Sequence, residues 1–312
     1  MYKYVIKRIF LLIPVLIAVS FIVYFVVDLA PGDIVDVKAG AEMTQEEKDL
    51  MREEMGLNDP VVVRYARYMS DLLHGDMGTS YSTGKPVFEV YMSRLPATLL
   101  LAVAAMLVAL LIAIPLGIVA AVKQNSLWDS GSMILGLLGI SIPAFWLGLL
   151  LIIIFAEKLK CLPSYGFNDG FKSLILPAIV VGYGQAAMIM RTTRSSMLEV
   201  LRQDYLRTAR AKGVSERKII LKEAFKNALI PILTVLGTSF GMVLGGAVVV
   251  ETVFAWPGVG RLLVDSINSR DTITVTGTLI LTTMLASLAI LLTDIAYAYV
   301  DPRIKARYVG KN

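Results

Sequence analysis

Six long apolar runs set the strongest limit on how this chain can fold. They cover residues 9–27, 97–122, 133–156, 174–190, 228–250 and 274–300. A helix needs about 20 apolar residues to cross a hydrocarbon core of about 30 Å, and the runs are close to or above that length. Because 56% of all residues are hydrophobic and 18% are charged, a water-facing surface could not cover so much apolar side chain. The pattern predicts an all-α integral membrane protein with six transmembrane helices.

The first and fourth runs each have a feature that could argue against a membrane span. The first follows Lys3, Lys7 and Arg8, as a secretory signal peptide would. Its 19 residues exceed the length of a signal h-region and no A-x-A cleavage site follows, so it predicts a span. The fourth run has 17 residues and contains Pro177 and Gln185, which places it at the short limit for a span.

Basic residues between the runs indicate which side of the membrane each segment occupies. If the N-terminus is cytoplasmic, the inner segments hold 18 Lys and Arg, and the outer ones hold 5 when residues 28–96 are left out. Leaving them out is justified because long loops cross a membrane largely regardless of their charge. The positive-inside rule then predicts that both termini and residues 191–227 are cytoplasmic, and that residues 157–173 and 251–273 lie outside.

The predicted domains follow the ends of these runs. They are an N-terminal transmembrane helix (1–28), an extracytoplasmic insert (29–93), a transmembrane core (94–302) and a cytoplasmic tail (303–312). The insert is acidic, rich in Gly, Asp and Pro, and contains a predicted helix over residues 44–55. Residues 78–85 superficially resemble a phosphate-binding loop, but five residues rather than four separate the glycines and a proline replaces the required Ser or Thr. The segment therefore does not fit a nucleotide site.

The charged stretch over residues 204–231 predicts two short helices that meet at an elbow. The first should end at Gly213, because glycine suits the left-handed position after a helix end and Arg210 favours the negative pole. The second should follow Ser215, which can cap free N–H groups, with Glu216 in its first turn. The stretch is either a coupling element or a solvated basic loop on the cytoplasmic face, and its charge alone leaves both interpretations open.

Two features lie inside the apolar runs. Gly237, Gly241 and Gly245 recur at every fourth residue, so they share one helix face and permit another helix to approach closely. That second helix belongs either to this chain or to a second subunit lining a passage. Asp294 lies within the sixth run, where an acid is costly. The basic residues that follow Asp301 favour an interfacial position for Asp294 over a place in a transport pathway.

Reactive residues form no recognisable catalytic or metal-binding pattern in the sequence. The single cysteine, Cys161, and the single histidine, His74, lie outside any metal-ligand spacing. The sequence also lacks a nucleophile–base pair and a dinucleotide-binding loop. A net charge of +5 is what a membrane protein acquires by keeping Lys and Arg on one side. We therefore expect a chain that is not an enzyme, with no metal, no cofactor of its own and no nucleic-acid partner.

Several short motifs occur in a fixed order along the chain. They are P-G-D at 31–33, G-L-N-D-P at 56–60, G-D-M-G-T-S at 75–80, R-L-P-A-T-L at 94–99, T-A-R-A-K-G at 208–213, N-A-L-I-P at 227–231 and D-I-A-Y-A-Y-V-D-P-R at 294–303. Together with the outer loop E-T-V-F-A-W-P-G-V-G-R from Glu251, they resemble bacterial ABC importer permeases of the dipeptide, oligopeptide and nickel branch. The chain departs from the broader family at 207–209, where R-T-A replaces E-A-A, and at 271–277, where the branch often has proline and glutamine.

The resemblance implies a type I ABC importer permease fold in the bacterial cytoplasmic membrane. It also implies that the elbow docks into a cleft on a separate ATPase subunit. An outer loop that includes Trp256, Pro257, Gly258 and Arg261 would face an extracytoplasmic binding protein, and a Trp anchored at headgroup level is the alternative. The residues predicted to form the ATPase-coupling loop are Asp204, Tyr205, Arg207, Ala209, Arg210, Ala211, Lys212, Gly213, Ser215, Glu216, Asn227 and Pro231.

The implied function is that of a permease subunit forming half of the passage for short peptides in an ATP-driven, binding-protein-dependent importer. The implied partners are a second similar permease, two ATPase subunits that hold ATP and Mg, a substrate-binding protein and the lipid bilayer. Nickel chelates and glutathione are alternative substrates, because their importers share these motifs. An ion-coupled secondary transporter is an alternative of a different class, but it would need binding groups near the bilayer midplane and often has related halves, which this sequence lacks.

Overall fold

The chain is entirely helical in the part that the computed structural model describes, which comprises residues 2–29, 34–38 and 43–300. Within these residues there is no β-strand, and five helices are long and apolar enough to cross a membrane. A sixth candidate span consists of two helices with a bend of 101° between them. The number of candidate spans therefore reaches the predicted six when the bent pair is counted as one.

Long helices alternate with short ones along the chain. They are α1 Tyr2–Asp28, α2 Ile34–Lys38, α3 Gln45–Glu54, α4 Val61–Leu73, α5 Val87–Val122, α6 Leu127–Ser141, α7 Ala144–Leu151, α8 Phe171–Leu201, α9 Asp204–Ala211, α10 Glu216–Lys218, α11 Phe225–Gly246, α12 Val248–Val253, α13 Val259–Asn268 and α14 Thr272–Val300. Two π-helical segments continue α7 and α10, over Ile152–Lys158 and Ile219–Ala224.

The insert between the first two spans contains α2, α3 and α4. α5 begins at Val87, so residues 87–93 of the predicted insert are the first turns of the helix that contains the second span. The predicted helix over residues 44–55 is confirmed as α3. The Thr44 side chain accepts a hydrogen bond from the Glu47 N–H, and the Glu47 carboxylate accepts one from the Thr44 N–H. This reciprocal capping box fixes where α3 begins.

The third predicted span, over residues 133–156, is not one continuous helix. α6 ends at Ser141, α7 begins at Ala144, and their axes differ by 101°. Pro143 explains the break, because the residue before a proline is disfavoured in the helical region. Ile142 accordingly has extended dihedral angles, with φ of −83° and ψ of 122°.

The shortest apolar run belongs to the most buried of the five single-helix candidate spans. α8 packs against α5, α6, α7 and α11, and 67% of its most apolar stretch is buried. Small residues permit this contact: a Cβ on Gly182 would lie 2.5 Å from the Ala105 carbonyl oxygen of α5. The modest hydropathy of the run thus reflects close helix packing. α8 continues to Leu201, so the first residues of the predicted cytoplasmic segment 191–227 are helical.

The predicted glycine seam on α11 packs against α14 of the same chain. A Cβ on Gly237 would lie 1.7 Å from Thr293 Cγ2, and one on Gly241 would lie 2.8 Å from Ile290 Cγ1. A Cβ on Gly245 would meet no neighbouring atom within 4 Å, and this glycine is exposed. Gly237 and Gly241 therefore form a close crossing within the chain, and Gly245 lies outside that crossing.

Three predictions fall outside the described residues. They concern the P-G-D motif at 31–33, the tail 303–312 with the D-P-R motif just before it, and the side chain of Asp294.

Candidate coupling surface and outer loop

The elbow begins with α9, which ends before Gly213 as predicted. Gly213 has a φ of 78°, in the left-handed region that glycine adopts without steric cost. Its N–H donates to the Arg210 carbonyl at 2.9 Å, and the Val214 N–H donates to the Ala209 carbonyl at 3.2 Å. These two bonds define a Schellman motif, in which the side chains of Val214 and Ala209 pack against one buried cluster. The direction in which the chain leaves α9 is thus fixed by backbone geometry.

The second half of the elbow differs from the prediction. Ser215 occupies the N-cap position of α10, but its side chain makes no capping hydrogen bond. Across the corner, Arg210 Nε donates to Glu216 Oε1 at 2.6 Å. The second helix is also not short, because α10, its π-helical segment and α11 follow one another without a break. The elbow therefore leads directly into the fifth span.

Two predicted residues that are 22 positions apart meet across the elbow. Asn227 Nδ2 donates to the Tyr205 hydroxyl oxygen at 2.8 Å and to the Glu223 carbonyl at 3.1 Å. The Tyr205 hydroxyl donates to the same carbonyl at 3.4 Å. Since Tyr205 lies on α9 and Asn227 on α11, these bonds tie the short helix to the fifth span. Pro231 lies one turn further along α11 and is exposed.

A side chain that the sequence analysis did not identify anchors α9 on the molecule. Leu206 is fully buried, in a cluster with Ala121 of α5, Met197 of α8 and Ile219 of the π-helical segment. It is the one buried residue of α9. A force applied to α9 would therefore reach the ends of α5 and α8 and the start of α11 together.

The opposite face of the elbow is open and mostly basic. The side chains of Asp204 and Arg207 are 94% and 81% exposed, and 3.8 Å separates their closest charged atoms. Such an exposed ion pair contributes little to stability, so both groups remain available to a partner. The other exposed charged residues of the elbow are the basic Arg210, Lys212, Arg217, Lys218, Lys222 and Lys226 and the acidic Glu216 and Glu223, and Ala211 is exposed beside them. This excess of positive charge complements an acidic surface.

An ion pair close to the elbow was also not predicted from the sequence. Arg194 of α8 donates to Asp129 of α6 through Nε at 2.7 Å and through Nη2 at 2.8 Å. Asp129 also accepts the Asn125 N–H at 2.9 Å. Bidentate pairs of this kind fix geometry as well as contributing energy. The pair links α6 and its preceding loop to the last turns of α8, from which the elbow follows.

The predicted outer loop, at the other end of α5, is folded into the core. Trp256 is 0% exposed, and its indole N–H donates to the Ala97 carbonyl of α5 at 2.9 Å. Its ring meets Phe167 edge to face, with centroids 4.9 Å apart. The Trp256 side chain therefore does not face outward in this chain, and it is not free to contact a binding protein directly. The other three candidates, Pro257, Gly258 and Arg261, are partly or fully buried.

A buried carboxylate, Glu251, organises this loop. It accepts hydrogen bonds from the Thr98 hydroxyl at 2.8 Å and from the Arg261 N–H, in the first turn of α13, at 3.0 Å. Thr98 in turn accepts the Val259 N–H at 2.8 Å. Burial raises the pKa of the Glu251 carboxyl above its ordinary value, while these hydrogen bonds act in the opposite direction. A Cβ on Gly258 would lie 2.4 Å from the carboxylate, which explains glycine at this position.

A second buried carboxylate joins the outer loop to the insert. Asp271 Oδ2 accepts hydrogen bonds from the hydroxyls of Ser80 at 2.7 Å and Ser82 at 3.1 Å. Asp271 Oδ1 accepts the Thr274 N–H of α14 at 3.1 Å, so the same side chain caps that helix. The segment that departs from the family pattern, residues 271–277, thus begins at a buried contact with the G-D-M-G-T-S motif.

We expect Ser80→Ala to loosen the insert from the outer loop, because a hydrogen bond to a buried charged acceptor contributes about 1.5–3 kcal/mol. Amide hydrogen exchange over residues 78–86 should become faster, with no change in the elbow. Ser82→Ala should have a smaller effect, because it removes a longer hydroxyl bond and its backbone N–H keeps a separate bond to Asp271 at 3.2 Å. Unchanged exchange in Ser80→Ala would show that this contact does not hold the insert.

The described residues contain no group of three or more His, Cys, Asp or Glu that could hold a metal ion. Cys161 is exposed and free, and the His74 ring lies 2.8 Å from the Ser70 carbonyl of the preceding turn.

Comparison with known proteins places this architecture in one family. Residues 113–306 match the model of the binding-protein-dependent transport system inner membrane component, and residues 1–102 match the N-terminal model of such membrane components. The chain is 41% identical to the dipeptide transport system permease protein DppB of Alkalihalophilus pseudofirmus, over 98% of this chain and 100% of that protein. It is 43% identical to the glutathione transport system permease protein GsiC of Salmonella paratyphi A, over 98% and 99% of the respective chains.

Solved structures share the fold. The methionine ABC transporter MetNI, in an inward-facing conformation, aligns with a TM-score of 0.60 at 17% identity, over 69% of this chain and 97% of that chain. An amino acid ABC transporter aligns with a TM-score of 0.51 at 14% identity, over 69% and 94%. The fold is that of a type I ABC importer permease, a multi-pass protein of the cytoplasmic membrane. The chain belongs to the binding-protein-dependent transport system inner membrane component family and is a transport subunit.

Proposed function

We propose that this chain forms half of the membrane passage for short peptides in an ATP-driven, binding-protein-dependent importer. The observation that carries the proposal is the elbow, which is exposed and mostly basic. Its two helices are joined to α8 and α11. The similarity to a dipeptide permease over nearly the full length supports peptides as the substrate class. The chain would then form part of the passage and carry the coupling surface, and its partner subunits would hydrolyse ATP.

The elbow is the proposed docking site for a separate ATPase subunit, which would hold ATP and Mg. Closure of two ATPase subunits would move α9, and the buried Leu206 would carry that movement to the ends of α5 and α8. The Arg194–Asp129 pair would extend it to α6. This chain would itself bind no cofactor.

A second, similar permease is proposed to complete the passage. An apolar cleft of about 620 Å³ lies between α5, α11 and α14, where Met106, Phe240 and Leu288 are among its lining residues. Thr293 contributes the polar group of that lining. Such a wall offers little to a peptide with charged ends, because unpaired charges are costly to bury. We therefore assign the cleft to contact with the second permease.

The substrate-binding protein is proposed to meet the exposed part of the outer loop. Since Trp256 and its neighbours are buried, that part is α13, where Asp265 and Ile267 are exposed. Glu251 and Asp271 would hold this helix in position through their bonds to its first turn and to α14.

The proposed topology has a direct test. In a Cys161→Ser background, we expect a cysteine at Lys85 to react with an impermeant maleimide in intact cells, and a cysteine at Lys212 to react only after lysis. Both positions are exposed. Labelling of position 212 but not 85 in intact cells would reverse the orientation and place the elbow outside.

Glutathione is the second candidate substrate, favoured by the 43% identity to a glutathione permease. Competition in proteoliposomes that contain the assembled importer separates the candidates. We expect unlabelled di- and tripeptides to inhibit ATP-dependent uptake of a labelled dipeptide more strongly than glutathione does. Stronger inhibition by glutathione would assign the chain to that substrate. Uptake driven by an ion gradient without any ATPase would instead indicate a secondary transporter.

A further inference from the structure

Helix α4 of the insert has two chemically different flanks. At 100° of rotation per residue, Arg64, Arg67 and Asp71 fall on one flank. The opposite flank is apolar, and its side chains are largely uncovered: Val62 is 60% exposed and Leu73 is 83% exposed. The full apolar flank comprises Val62, Ala66, Met69 and Leu73, of which Met69 is partly covered by Ser20 of α1.

The charged flank faces the rest of the insert. A cavity of about 150 Å³ is lined by Arg64, Arg67 and Asp71 together with Gly56 and Tyr81, which precede and follow α4. The apolar flank, on the opposite side of the helix, therefore points away from the insert.

The position of α4 along α1 shows what lies on that side. The Tyr65 hydroxyl donates to the Ile17 carbonyl at 3.3 Å and lies 3.0 Å from the Ser20 hydroxyl. Ile17 lies 11 residues before Asp28, which corresponds to about 16 Å along the helix. A tyrosine side chain is shorter than this distance, so the backbone at Tyr65 lies beside the last turns of α1 and not beyond its end. Arg64 pairs with Asp28 at the end of the apolar run.

The exposed surface of helix α1 indicates where the bilayer lies relative to α4. Only 6% of its most apolar stretch is buried inside the protein, so most of this span is open to lipid. Phe21 lies on this surface of α1 and is 44% exposed. Its ring meets the Tyr65 ring of α4 edge to face, with centroids 5.4 Å apart. The lipid-covered surface of α1 thus continues onto α4.

We propose that α4 is an interfacial helix whose apolar flank is embedded in the leaflet next to Asp28, the outer leaflet in the proposed topology. Its depth, its uncovered apolar side chains and its opposite charged flank match the pattern of helices that lie in a membrane interface. The insert is thereby fixed to the bilayer at α4 and to the outer loop at Asp271. The predicted insert, over residues 29–93, is then partly a membrane-bound element.

Spin labels at single cysteines test this placement in the assembled importer, reconstituted in nanodiscs of phosphatidylethanolamine and phosphatidylglycerol. The background is Cys161→Ser, and the labelled positions are Val62→Cys and Leu73→Cys on the apolar flank. Asp71→Cys on the charged flank is the matched control, and Ile22→Cys on the exposed side of α1 is the lipid reference. Oxygen concentrates in the acyl region and a nickel chelate remains in water, so their relaxation effects report depth.

We expect the ratio of oxygen to nickel accessibility to be severalfold higher at Val62→Cys and Leu73→Cys than at Asp71→Cys, and similar to that at Ile22→Cys. Nickel accessibility equal to the control would show that the flank faces water and would overturn the proposal. Protection from both reagents would mean that a protein covers the flank, which would overturn it equally. The result depends on membrane placement of α1 and not on the substrate or the ATPase, so it stands separately from the proposed transport function.

Discussion

Gly213→Val is expected to abolish the stimulation of ATP turnover by the binding protein while leaving membrane insertion intact. Gly213 has a φ of 78°, and a Cβ there would meet no atom within 4 Å. The effect therefore comes from the backbone and not from a clash. A non-glycine residue in the left-handed region costs roughly 1–2 kcal/mol. The chain would relieve this strain by leaving the region, which would break the Schellman bonds and change the angle between α9 and α10.

Gly213→Asn is the matched control, because asparagine tolerates the left-handed conformation. It should keep most of the stimulated turnover. Both variants should be compared for co-purification with the ATPase and for turnover in the assembled complex with loaded binding protein. If Gly213→Val matches the unchanged protein in both measurements, the elbow is a solvated basic loop and does not couple transport to ATP.

Gly237→Leu and Gly241→Leu are expected to destabilise the chain itself, because the glycine face packs on α14 of the same chain. Overpacking a close contact costs typically about 1–3 kcal/mol. The cost should be larger at Gly237, where a Cβ would already lie 1.7 Å from Thr293. Yield and thermal stability in detergent should be lower than in the unchanged protein for Gly241→Leu, and lower still for Gly237→Leu.

The chain offers its own control for this prediction. Gly245 lies on the same helical face but is exposed, so Gly245→Leu should leave the stability of the isolated chain unchanged. Damage at position 245 equal to that at 241 would contradict a seam confined to the crossing with α14. Loss of the second permease from a well-folded Gly245→Leu variant would place the contact between permeases at this position.

Hydropathy located every long helix but not the shape of every span. The run over residues 133–156 is apolar throughout, so its composition conceals a 101° bend that Pro143 imposes on the backbone. The run over 174–190 was at the short limit for a span, with Pro177 and Gln185 inside it, yet it belongs to the 31-residue helix α8, which packs closely on α5 at Gly182. Both differences arise because a hydropathy average records composition and ignores where a proline or glycine stands.

The elbow was predictable to the extent that its determinants are local. Gly213 follows a helical pattern directly, and its backbone conformation depends on the residues beside it. The missing Ser215 cap and the Arg210–Glu216 contact between the two helices were not predictable in this way, because both depend on how the helices are placed relative to each other.

Residues that depend on distant partners could not be found from the sequence. Glu251 and Asp271 appear there as isolated acids at the ends of apolar runs, and their roles appear only when Thr98 and Ser80 are brought against them from 153 and 191 positions away. The burial of Trp256 could not be predicted for the same reason, since it depends on Ala97, 159 positions away.

A photo-activated cross-linker at Arg207, compared with one at Asp265, tests the central claim most directly. Both positions are exposed, one on the elbow and one on the outer loop. In the assembled importer, the cross-linker at Arg207 should capture the ATPase subunit and the one at Asp265 should capture the binding protein. Capture of the binding protein at Arg207, or failure to capture the ATPase there in a complex that hydrolyses ATP, would contradict the assignment of the elbow as the coupling surface.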